Sequence, residues 1–139
     1  MTDLWDESGN VMVEFIAVVV VLLLPLIYFA QSVVLVAKTN TAVQSASQLA
    51  AREFVVSPND ALARVRSRKA AIAVLSDAQF PTSKARVTFV CDADPCLTAS
   101  REVSVAVSVP IATPAFGPFP SHSLVITATH SETVDEVRN

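Results

Sequence analysis

From Phe15 to Ala37 the chain reads FIAVVVVLLLPLIYFAQSVVLVA, 23 residues without a charge and with only Gln31 and Ser32 as strongly polar interruptions. A helix of that length rises about 35 Å, enough to cross the hydrocarbon core of a bilayer. The run therefore predicts a transmembrane helix over 10–37. A cleaved secretory signal is the rival reading, but such signals carry a basic segment first and small residues at the cut. Here the residues before Asn10 hold Asp3, Asp6 and Glu7 with no Lys or Arg, and no A-x-A pattern follows the apolar run. Pro25 removes one backbone hydrogen bond inside the run, and a kink is expected there.

One residue fits this picture poorly. Glu14 stands at the mouth of the run, five residues after Gly9. A carboxylate beside so much apolar surface is costly unless it meets a positive partner. The residues before it supply none. If the chain is cut after Gly9, however, Asn10 becomes a new N-terminus whose α-amine is charged at neutral pH. Asn10 and Glu14 are then i and i+4, one turn apart, so amine and carboxylate can meet.

Beyond Ala37 the pattern becomes amphipathic. Lys38, Thr41, Ser45, Gln48 and Arg52 recur at helical spacing as a polar stripe, and Val43, Ala46, Ala50 and Phe54 mark an apolar face. The sequence has only two glycines, Gly9 and Gly117, and no proline between Pro25 and Pro58. One helix is therefore expected from about 10 to 56, with 38–58 as an extension outside the membrane. A second helix is predicted over about 60–78, capped by Asn59 or Asp60, with Val65, Ile72 and Leu75 facing inward. Its basic run, Arg64–Lys69, has two readings: contact with lipid headgroups or an acidic partner, or simply a solvated helix face.

After Pro81 the period changes to two. KARVTFVC alternates Ala85, Val87, Phe89 and Cys91, and REVSVAVSV alternates Val103, Val105, Val107 and Val109. SLVITATH is a third β-rich stretch. PIATPAFGPFP, between the second and third, holds four of the eight prolines and reads as a loop. The expected fold class is α+β: a long N-terminal helix, a short helix and a three-stranded antiparallel meander, with 59–139 as a small domain.

The chemistry-bearing residues are few. The net charge of −3 comes from the three acids in 1–9, so the rest is balanced and makes no electrostatic case for nucleic acid. Cys91 and Cys96 bracket DADP at a hairpin end. That spacing lets the Cα atoms approach within disulfide range, so a Cys91–Cys96 disulfide is expected if the domain lies outside the cell membrane. The rival is two idle thiols in a reducing compartment. Two cysteines alone do not complete a zinc site. His122 and His130 lack a recognisable nucleophile or orienting acid, and the acidic tail lacks an EF-hand pattern. No catalytic residue, metal site or cofactor is expected, and the chain does not read as an enzyme.

Gly9, then Asn10-Val11-Met12-Val13-Glu14-Phe15 and a long apolar helix, resembles the processing site of type IV pilins: a short leader, glycine before the cut, and glutamate at position five. Over residues 7–56 the arrangement looks most like the TadE-like minor pilins of tight-adherence (Flp) pilus and secretion systems. Over 80–139 the likeness is one of layout. The resemblance implies a leader at 1–9 removed by a prepilin peptidase, with Gly9 and Asn10 as the processing site and Glu14 and Phe15 in assembly and register. It further implies a single-pass subunit in the cytoplasmic membrane whose C-terminal domain lies outside, associated with a pilus at the cell surface. The implied partners are other pilin and minor pilin subunits, membrane proteins of the assembly platform, and the lipid bilayer. The alternative is an uncleaved membrane-anchored binding domain.

Overall fold

The computed structural model describes residues 7–113, 115 and 120–135, with the backbone alone for 7–10. Most of the leader expected at 1–9, much of the proline-rich loop and the end of the acidic tail lie outside the described residues. Two helices, α1 (Glu7–Val55) and α2 (Asp60–Asp77), precede a 3-10 turn (Thr82–Lys84). Three strands follow: β1 (Arg86–Cys91), β2 (Glu102–Ala112) and β3 (Ser123–Thr133). They form an antiparallel sheet in the order β1-β2-β3, so the α+β meander is present.

The chain divides into two units, Met1–Leu35 and Val36–Asn139. The described residues of the first are a single helical segment, and α1 continues through Pro25 without a break. Ser32 stays compatible with its apolar surroundings because its hydroxyl donates to the Tyr28 carbonyl at 3.0 Å.

In the second unit the helix extension belongs with the small domain, because its apolar face forms part of that domain's core. Val43, Ala46, Ala50, Ala51 and Phe54 are fully buried, whereas Lys38, Thr41, Ser45, Gln48 and Arg52 are exposed. On α2 the expected inward face is not the observed one. Leu75 is buried, but Val65 is 63% exposed and Ile72 is 37% exposed. Ala63, Ser67 and Ala71 take their place. The reason is close helix approach: Ala42, Ala46 and Ala50 on α1 and Ala63, Ser67 and Ala71 on α2 are two four-residue-spaced rows of small side chains. The Ser67 hydroxyl donates across to the Ala50 carbonyl at 2.7 Å. A larger Val or Ile there would hold the backbones too far apart for that bond.

Both ends of α2 are closed locally. Asn59 caps the start, its Oδ1 accepting from the Leu62 N–H at 2.9 Å. At the other end the Phe80 N–H bonds to the Leu75 carbonyl and the Gln79 N–H to the Ser76 carbonyl, the Schellman pattern. Gln79 takes the left-handed position, φ 63°, that glycine usually fills.

The sheet presents Val103, Val105, Val107, Val109 and Ile111 of its central strand to the core. Phe89 on β1 meets Phe54 at 5.3 Å between ring centroids, joining sheet to helix. β2 is longer than the alternation of valines suggested: Pro110, Ile111 and Ala112, expected in the loop, belong to the strand. Pairing with β1 ends at Arg86↔Ser108, so β2 past Ser108 pairs only with β3, and an edge segment tolerates a proline. β3 likewise runs on through Ser131, Glu132 and Thr133, the start of the tail.

Candidate functional site

Two places hold the residues singled out by sequence, one in each unit. In the first, Gly9 and Asn10 lie in the opening turns of α1, followed by Glu14 and Phe15. Every residue from Val11 to Ile27 is exposed, Phe15 at 67%. A helix apolar on all sides is stable only when lipid or other apolar helices surround it. This one is long and apolar enough to cross a membrane. Glu14 is exposed on that surface and has no ion pair among the described residues. It is the only charged residue between Val11 and Ala37.

The arrangement around Glu14 follows from helix geometry alone. Position 14 lies one turn beyond position 10, so a cut after Gly9 would set an ammonium group and a carboxylate on the same face. The same cut would leave the carboxylate about one turn from the new helix N-terminus, where the backbone dipole favours negative charge.

In the second unit Cys91 and Cys96 are joined as a disulfide, with Cα atoms 5.1 Å apart. Asp60, in the first turn of α2, holds the turn that carries this bond. Its two carboxylate oxygens accept from the Cys96 N–H at 2.8 Å and the Leu97 N–H at 3.2 Å. Arg64, one turn on, stacks over Phe89 at 5.4 Å from the ring centroid and points Nη2 toward Cys96 Sγ at 3.4 Å. All four basic residues of the run, Arg64, Arg66, Arg68 and Lys69, are exposed, and Arg64 is also engaged with Phe89 and Cys96. Sequence reasoning missed this cluster because Asp60 is read locally as a helix cap, and its real partners lie 36 and 37 residues away.

Asp60→Ala should destabilise the second unit by about 1.5–3 kcal/mol, since two backbone donors lose a charged acceptor. Urea unfolding of the full chain in detergent measures it, and a change within about 0.5 kcal/mol would show that water replaces the carboxylate.

The histidines lie apart from both places. His130 Nε2 is 3.4 Å from Glu132 Oε1, which is also 3.7 Å from Arg52 Nε, and His122 Nδ1 is 2.9 Å from the Pro120 carbonyl. Among the described residues no cluster of three His, Cys, Asp or Glu is placed to hold a metal ion. Neither family models, nor curated proteins, nor solved structures match the chain.

Proposed function

We propose that this chain is a minor pilin (pseudopilin) subunit of the TadE-like kind, acting in the assembly of a tight-adherence type IV pilus or a related secretion apparatus. The supporting observation is Glu14: one carboxylate, exposed and without an ion pair among the described residues, at the head of an apolar helix bare on every side. An ordinary membrane anchor has no use for that charge. A subunit that packs among others does, because each new N-terminal amine in a bundle of apolar helices needs a carboxylate.

The reaction sequence begins with removal of residues 1–9 by a prepilin peptidase. Gly9 suits such a cut because it has no side chain to obstruct the scissile bond. The freed Asn10 amine neutralises Glu14 while the subunit waits in the bilayer, with the unit after Val36 outside. On assembly, apolar helices pack side by side, and Glu14 exchanges its own amine for that of a neighbouring subunit. The axial stagger between subunits is then set by one ion pair in an otherwise featureless apolar surface. Phe15, directly after it, packs against the neighbour.

N-terminal sequencing of protein extracted from membranes tests this reading. The expected start is Asn10, and Gly9→Val should leave the leader attached. An intact Met1 or Thr2 start in a host that assembles the pilus would overturn it in favour of an uncleaved membrane-anchored binding domain.

A further inference from the structure

We propose that Lys84 and Arg86 form a binding site for a phosphate-bearing group, its source the headgroup of an anionic phospholipid. Both line a cleft of about 620 Å³ together with Ser83, Ala85, Ser108, Pro110 and Val125. The strand register creates the cleft. β1 starts at Arg86 opposite Ser108, while β2 continues to Ala112. The flank of β2 beyond Ser108 is left open, and the 3-10 turn carrying Ser83 and Lys84 borders the gap. The turn is held by the Ala85 N–H, which bonds to the Thr82 carbonyl at 3.2 Å.

The electrostatics favour an anion. Neither cation has an ion pair among the described residues. The segments that build the cleft are free of acids: none occurs from Ala78 to Cys91 or from Val103 to Ser131. The acids of the sheet region stand at its other end, at Asp92, Glu102 and Glu132. Each lies six or seven residues along its strand from Arg86, Ser108 or Val125, which is about 20 Å at the strand rise. That exceeds two Debye lengths at physiological ionic strength, so those carboxylates do not offset the positive charge in the cleft. Asp77, the nearest acid before it in sequence, does not line it.

The donors suit phosphate rather than a simple counter-ion. The Arg86 guanidinium offers a planar fork for two oxygens, Lys84 a compact charge with three donors, and Ser83 and Ser108 neutral hydroxyls. Pro110 and Val125, the latter 66% exposed, add an apolar wall that free phosphate would not use but a glycerol backbone would. The headgroup is favoured as source because the chain carries a helix able to cross a membrane, which holds the second unit near lipid at high effective concentration. The site does not depend on cleavage after Gly9.

The test is a titration of the full chain in neutral detergent, read by amide shifts of Ser83–Arg86 and Ser108. The probes are short-chain phosphatidylglycerol, short-chain phosphatidylcholine, inorganic phosphate and a hexaglutamate peptide. Saturable shifts with phosphatidylglycerol, stronger than with phosphatidylcholine, are expected. Lys84→Gln with Arg86→Gln should weaken binding about tenfold, while Arg86→Lys restores part of it. Saturation with inorganic phosphate at equal affinity would keep the phosphate site but overturn the headgroup as its source. Binding of hexaglutamate alone would overturn the proposal in favour of an acidic protein segment. So would phosphatidylglycerol binding unchanged in the double variant, or no saturable shift with any probe.

Discussion

Phe54→Ala should destabilise the Val36–Asn139 unit by about 3–5 kcal/mol, a large part of the stability of any domain this size. Phe54 is fully buried near the end of α1 and is the largest fully buried side chain among the described residues. Its ring meets Phe89 at 5.3 Å with the planes tilted by 37°, and Arg64 covers the other aromatic partner. Truncation leaves a cavity that nothing on α1 can fill. The buried residues one turn back on that helix are Ala50 and Ala51, and neither can reach into the space. The small-residue contact with α2 also prevents the helices from closing further, since their backbones already approach within a single serine hydrogen bond. Phe54→Leu keeps most of the volume and should cost much less. The measurement is urea unfolding of the full chain in detergent, followed by the circular dichroism of the sheet. A loss below about 1 kcal/mol for the alanine variant would mean that the aromatic pair does not hold sheet to helix.

If the chain is the pilin subunit proposed above, Glu14→Gln should abolish co-assembly with pilin partners while leaving cleavage and membrane insertion intact. On that proposal the carboxylate of a lone subunit would meet its own Asn10 amine or the headgroup region, so insertion would not require it. In the proposed assembly the helix ends would enter a shared apolar core, where breaking a buried ion pair costs about 3–5 kcal/mol. That corresponds to a loss of association of about 150- to 5,000-fold. Glutamine keeps the shape and removes the charge, which separates register from packing. Glu14→Asp keeps the charge but shortens its reach by one methylene and should be partly impaired. Crosslinking in membranes followed by capture of partner subunits reads the effect, with N-terminal processing checked in the same samples. If Glu14→Gln co-assembles like the parent, the ion-pair register is wrong even where cleavage after Gly9 is right.

The parts of this protein that sequence alone determined are those written in local periodicity. An uncharged run of 23 residues can satisfy its backbone in lipid only as a helix, so the membrane-competent part of α1 was legible without a fold. The polar stripe from Lys38 to Arg52 and the face from Val43 to Phe54 repeat at 3.6 residues, and the valines of β2 repeat at two. Each period names its element and its buried side. The anomaly of Glu14 was equally local, since it needs only a charge, its neighbours and one helical turn.

Contacts between distant segments decided the rest. Hydropathy ranks Val65 and Ile72 above Ala63, Ser67 and Ala71, yet the small residues face the core, because the choice depends on how closely α1 approaches. Asp60 looks like a cap until the turn at Cys96 and Leu97 arrives beside it. Pro110 reads as a loop residue until the register with β1 leaves its flank unpaired. The same register opens the Lys84–Arg86 cleft, whose lining comes from the 3-10 turn and three strands, and no period within any one of them encodes it. Local pattern reports which surface of an element prefers water, but which partner covers the other surface, and at what distance, is a property of the packed chain.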